Sequence, residues 1–126
     1  MTKEFIPYEQ ALALKELGFN EPCFAYYNGY KELDHLMPER VVVGRNYNGD
    51  TITSAPLFQQ AFRWFREKYK MQAEILWRGD MGCFCYKTGK FKYREHTFSE
   101  KDYKTYEEAE LACLIKLIQI ANEKTI

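Results

Sequence analysis

Residues Thr105 to Ala121, TYEEAELACLIKLIQIA, constrain the fold more than any other stretch of the chain. At about 100° per residue, Leu111, Leu114, Ile118 and Ala121 share one narrow stripe, with Ile115 and Leu117 on its flanks. Cys113 and Ile120 widen the apolar arc beyond the ~100° of an ordinary surface helix. Glu108, Ala112, Lys116 and Gln119 remain as a strip for solvent. A helix this apolar has to be covered on most sides, so it is expected to be the core. Thr105 and Glu108 have the spacing of a capping box, and Glu107, Glu108 and Glu110 suit the positive end of the helix dipole.

The remaining elements follow from pattern. PYEQALALKELGF reads as a short N-terminal helix, with Pro7 in its first turn, an apolar face of Leu12, Leu14 and Leu17, and Gly18 placed to end it. CFAYY and YKEL flank Asn28-Gly29, a hairpin signal. RVVVGR, residues 40–45, suits a strand, Thr51 to Thr53 a short returning one, and the NYNGD tip between them a mobile loop. From Ser54 to Lys70 a second long helix is expected, with Ser54 as its cap and Phe58, Phe62, Phe65 and Tyr69 at helical spacing. MQAEILWRG alternates as a strand, RGDMG is a turn, and CFCY and FKYREH read as strands joined by KTGK, with Gly89 supplying a positive φ. No linker divides the chain, so residues 1–126 read as a single α+β domain. Antiparallel hairpins pack against two long helices, with a short N-terminal helix added.

Charge and cysteine usage narrow the function classes. Eighteen basic residues balance eighteen acidic ones, which gives no overall pull toward nucleic acid or anionic membrane. Locally, Ala61 to His96 holds nine basic against four acidic residues, a charge of +5. The N-terminus lacks the apolar stretch of a signal peptide, and the longest apolar run, Leu111 to Ile115, is far below the ~20 residues of a membrane span. Four cysteines (Cys23, Cys83, Cys85 and Cys113) without an export signal read as reduced thiols, which points to the cytoplasm.

No constellation for catalysis stands out. Cys83 and Cys85 share a strand face, but without paired CxxC knuckles a zinc site is disfavoured, and no metal or cofactor is expected. His96, one strand later, fits no known nucleophile signature, and no phosphate loop is present. The chain is therefore read as a non-enzyme. One basic, aromatic-interleaved segment remains. Arg78, Lys90, Lys92 and Arg94 form a possible polyanion surface within 63–94, against the simpler reading of a solvated strand face.

Two resemblances add to this. From Pro56 onward the order helix–strand–strand–strand–helix resembles the double-stranded-RNA-binding domain in topology, although the last helix begins with Glu107, Glu108 and Glu110, where that family carries basic residues. PYEQALALKELGFNEPCFAYY, APLFQQAFRWFREKY and YKTYEEAELACLIKLI resemble small uncharacterised proteins of intestinal-type bacteria and their phages or prophages. That likeness implies a stand-alone bacterial or phage cytoplasmic protein and carries no activity with it.

The function expected from all this is a small interaction protein. Ten tyrosines and 17% aromatic content suit an aromatic surface, offered to a protein partner or to a second copy. Tyr26, Tyr27, Tyr30 and Tyr47 are its candidate contacts. Nucleic-acid binding through the basic segment is the alternative.

Overall fold

The computed structural model describes residues 4–35, 48–90 and 96–124. The architecture is α+β, as expected. In chain order the elements are α1 (Tyr8–Glu16), β1 (Ala25–Tyr27), β2 (Leu33–His35), β3 (Thr53–Ser54), α2 (Phe58–Tyr69), β4 (Met71–Arg78), β5 (Cys83–Lys90), β6 (His96–Phe98) and α3 (Tyr106–Lys124). They form two antiparallel three-stranded sheets, ordered β2-β1-β3 and β4-β5-β6. Two compact units, Met1–Gln60 and Ala61–Ile126, divide the chain within α2.

In the first unit α1 ends as its sequence predicts. Gly18 adopts φ 99°, its N–H bonds the Lys15 carbonyl, and the Phe19 N–H bonds that of Leu14. This 6→1 and 5→2 pair is a Schellman stop, and it carries Phe19 back into the core beside the fully buried Leu14. Leu12 and Leu17 are only half-buried, so α1 buries a narrower face than the sequence suggests. The β1–β2 hairpin forms, but its turn is not a two-residue Asn-Gly type. Lys31 N–H bonds the Asn28 carbonyl, Asn28 N–H bonds the Glu32 carbonyl, and Lys31 takes the left-handed position at φ 63°. Asn28 acts instead through its side chain, whose Oδ1 accepts from the N–H groups of Tyr30 and Glu32. That arrangement is a three-residue loop with a left-handed third residue.

Ser54 does not cap α2. It is buried in β3, opposite Tyr26 of β1, because Pro56 and Leu57 are still extended. The Pro56 carbonyl accepts from Ile6 N–H at 3.0 Å, and Leu57 bridges Phe5, which delays the helix to Phe58. The described part of the segment before β3, from Asn48 on, is hydrogen-bonded to α1 and its stop. Asn48 donates to the Phe19 carbonyl and accepts from Ser54 N–H, while Lys15 donates to the carbonyls of Gly49 and Ile52. The strand expected at residues 40–45 and the Pro38 connection lie outside the described residues.

The second unit keeps the order α2–β4–β5–β6–α3. Ala61, Trp64 and Phe65 of α2 are buried, and Trp64 meets Phe65 edge-on at 5.1 Å. Lys70, at φ 56°, turns the chain directly from helix into strand. β4 and β5 then pair along eight residues, from Met71↔Lys90 to Arg78↔Cys83. KTGK is therefore strand and not a turn, and Gly89 sits in the ladder between Gln72 and His96. The pairing of all eight β4 residues accounts for this, because stopping β5 at Tyr86 would strand the first half of β4. The turn that does need glycine is Gly79–Gly82. There Met81 N–H bonds the Arg78 carbonyl and Gly82 takes φ 65°.

α3 packs on β4 and β5. Its cap is the expected one, with Glu108 N–H donating to Thr105 Oγ1 at 3.1 Å. The buried face comprises Ala109, Cys113, Leu114, Leu117, Ile118 and Ala121. Ile115 is 45% exposed and Leu111 half-buried, so the covered arc is narrower than expected and centred nearer Cys113 and Leu117. A single sheet face covers only one side of a helix, and α3 lies on such a face.

Candidate functional site

Strand parity decides which side chains of the second unit meet. Directly paired residues share a face, so Met71, Ala73, Ile75 and Trp77 lie with Lys90, Thr88, Tyr86 and Phe84. Phe84 touches Tyr106 at the start of α3 edge-on, at 5.9 Å and 90°, which makes this the α3 side of the sheet. The opposite side carries exposed Gln72, Glu74 and Arg78, with a Glu74–Lys87 ion pair at 3.5 Å.

Beyond the end of α3 the rings run on into solvent. Trp77 packs on Phe84 at 4.8 Å, yet Trp77 is 60% exposed and Tyr106 45% exposed. The absence of a side chain at Gly79 gives the indole room, since a Cβ there would stand 3.0 Å from Trp77 Nε1. Met81, in the same turn, is also exposed. Burial raises the Tyr106 phenol above its ordinary pKa, with Glu110, Cys113 and Glu107 adding to the effect, so the ring stays neutral.

A second feature lies along the sheet edge. After β6, Ser99 N–H bonds the Tyr86 carbonyl while Ser99 Oγ accepts from Tyr86 N–H, and the chain then bulges outward. It returns at Tyr103, which exchanges two 2.7 Å backbone bonds with Phe84. The bulge leaves a concave site of about 550 Å³ between this edge and α3. Tyr86 and Tyr103 stack across it, their centroids 6.3 Å apart and tilted by 26°. Lys101 lies over the Tyr103 ring at 5.5 Å, and Lys116 and Gln119 approach from α3. Burial is the main cause raising the pKa of both tyrosines, so both hydroxyls remain donors at neutral pH.

The structure separates the tyrosines singled out from the sequence. Tyr27 belongs to the core. It is 8% exposed, meets Tyr8 edge-on and donates its hydroxyl to the Ile6 carbonyl at 2.6 Å. Tyr26 is half-buried, Tyr30 stands 85% exposed at the hairpin tip, and Tyr47 lies outside the described residues. Sequence reasoning missed Trp77, Phe84, Tyr86, Tyr103 and Tyr106 as a surface group. The alternation of β4 and the aromatic spacing of β5 were the available signal.

Of the basic segment, the described Arg78 and Lys90 do not meet. Arg78 pairs with Asp102 at 3.3 Å and points to the side away from Lys90. The two also sit at opposite ends of an eight-residue ladder, roughly 23 Å apart along the strand. Lys92 and Arg94 lie outside the described residues. His96 faces Gly89, four positions from Cys85, or about 13 Å along β5. That spacing separates it from both thiols of the strand. Burial pushes Cys23 and Cys113 up to about 12, and Cys83 is also raised, by desolvation and then the nearby Asp102 carboxylate. Thiols held protonated in this way are poor nucleophiles. Among the described residues, no group of three or more His, Cys, Asp or Glu side chains is placed to hold a metal ion. Nor is any described helix long and apolar enough to cross a membrane. Comparison with models of known families, with curated proteins and with solved structures finds no match.

Proposed function

We propose that the chain is a non-enzymatic interaction protein, of bacterial or phage type and cytoplasmic, which presents the aromatic end of its second sheet to a protein partner. The observation that carries this reading is the Trp77–Phe84–Tyr106 run. Its rings are fixed by their own packing, yet Trp77 remains mostly exposed. Such rings lose little conformational freedom on binding and bring large apolar area, which is why Trp and Tyr anchor interfaces. The raised cysteine pKa values support a binding role over thiol chemistry.

The test is site-specific photo-crosslinking in bacterial cells. A photoreactive phenylalanine analogue replaces Trp77 in one variant and the exposed Glu16 of α1 in another. A discrete protein adduct is expected only at Trp77, and it should weaken when Tyr106→Ala is added. A gain equal to the chain's own 15.0 kDa identifies a second copy as the partner, and any other discrete gain identifies a different protein. No adduct, or the same adducts at both positions, overturns the reading.

A further inference from the structure

The concave site between α3 and the β6 edge differs in kind from the ring surface at Trp77. It is polar as well as aromatic, and its volume of about 550 Å³ suits a small molecule. Its ionisable lining decides the charge of an occupant. Lys101 and Lys116 contribute two positive charges and Glu100 one negative, a balance of +1, while the raised Tyr86 and Tyr103 phenols stay neutral. Glu100 is exposed, though its carboxylate is near enough to add to the raised pKa of both phenols, whereas Lys116 is half-buried on α3 and makes no ion pair among the described residues. An ammonium held partly out of water beside apolar rings gains from an anion that replaces its lost hydration. The rest of the lining donates hydrogen bonds readily: two phenol hydroxyls and the Gln119 amide. The apolar component is planar. It consists of the stacked Tyr86–Tyr103 pair, because the register with Lys87 sends the exposed Phe98 ring to the other face of the sheet.

We propose that this groove binds a small aromatic carboxylate, with the ligand ring against Tyr86 and Tyr103 and its carboxylate on Lys116. One negative charge matches the lining balance, and a flat body matches its rings. Lys101, already lying over the face of Tyr103, serves as a wall and a secondary charge.

The test is a titration of isotope-labelled full-length protein with naphthoate, followed by amide NMR shifts. Naphthalene-methanol (neutral), cyclohexanecarboxylate (anionic but not aromatic) and naphthylmethylamine (cationic) are run alongside. Naphthoate is expected to saturate at or below about 1 mM, with shifts centred on Tyr86, Tyr103 and Lys116, and to bind at least tenfold more tightly than each of the other three. Lys116→Gln removes the charge and leaves a polar side chain one atom shorter. It is expected to weaken naphthoate at least tenfold and to leave naphthalene-methanol unchanged, with an otherwise unaltered spectrum. No saturable binding, equal affinity for the neutral analogue, shifts centred elsewhere, or an unaffected Lys116→Gln variant overturns the proposal.

Discussion

The two units use aromatic residues in opposite ways. In the first, Phe5, Phe19, Tyr27 and Phe58 are buried, and the one polar tip among them, the Tyr27 hydroxyl, is satisfied by the Ile6 carbonyl. In the second, Trp64 and Phe65 are buried, but Trp77, Phe98 and Tyr106 are open to solvent. Tyr30 shows that exposure alone does not make a surface, because it stands singly at a hairpin tip. What distinguishes the second unit is that two of its exposed rings, Trp77 and Tyr106, are braced against Phe84. An aromatic-rich composition therefore says little until parity and packing assign each ring a side.

The largest effect is expected at the centre of α3. Leu114 is fully buried, so Leu114→Asp places an unpaired charge in the core at a cost of several kcal/mol against a typical total stability of ~5–15. Far-UV circular dichroism under urea is expected to show a largely unfolded protein, and an unchanged midpoint would remove α3 from the core. Next comes Tyr27→Phe, which leaves the ring but deprives the buried Ile6 carbonyl of its donor. A loss of about 1–2 kcal/mol is expected in the same assay. Tyr106→Phe should cost under about 0.5 kcal/mol, as an exposed position does. Equal losses for the two would erase the contrast between the units.

Alkaline pH probes the buried thiols. Cys23 and Cys113 have folded pKa values raised from 9.0 to about 12, so the folded state holds these protons more tightly than the unfolded chain does. Their stabilisation is complete below pH 9 and is lost as pH climbs toward about 12. Urea midpoints measured across that window should fall less steeply in Cys113→Ala than in the parent protein. An effect of opposite sign is expected at Lys70, where a non-glycine residue sits at φ 56°. Lys70→Gly relieves that conformation and is expected to raise stability by up to about 1 kcal/mol, read as a higher urea midpoint.

Much of the fold was legible in the sequence where a single local rule decides an element. Gly18 stops α1, Thr105 caps α3, and the aromatic spacing of α2 buries Trp64 and Phe65 as helical periodicity requires. Errors arose where long-range pairing overruled a local signal. Ser54 has the chemistry of a cap but is claimed by β1, and KTGK has the composition of a turn but is claimed by β4. The site was less legible for the same reason. Trp77, Phe84 and Tyr106 lie far apart in the chain, and only the Trp77↔Phe84 register and the packing of α3 bring them together. Arg78 and Lys90 illustrate the converse, since both are basic strand residues that the register sends to opposite sides.

The most direct test of a braced, open aromatic surface uses the chain's two tryptophans as opposed reporters. Trp64 is 5% exposed and Trp77 60% exposed. Trp64→Phe leaves Trp77 as the sole indole, and Trp77→Phe leaves Trp64. Acrylamide quenching of each variant, in dilute protein whose circular dichroism matches the parent, measures the access of water-borne solute to each ring. The account predicts red-shifted emission and several-fold stronger quenching for Trp77. Equal quenching, or a blue-shifted and shielded Trp77, would contradict it.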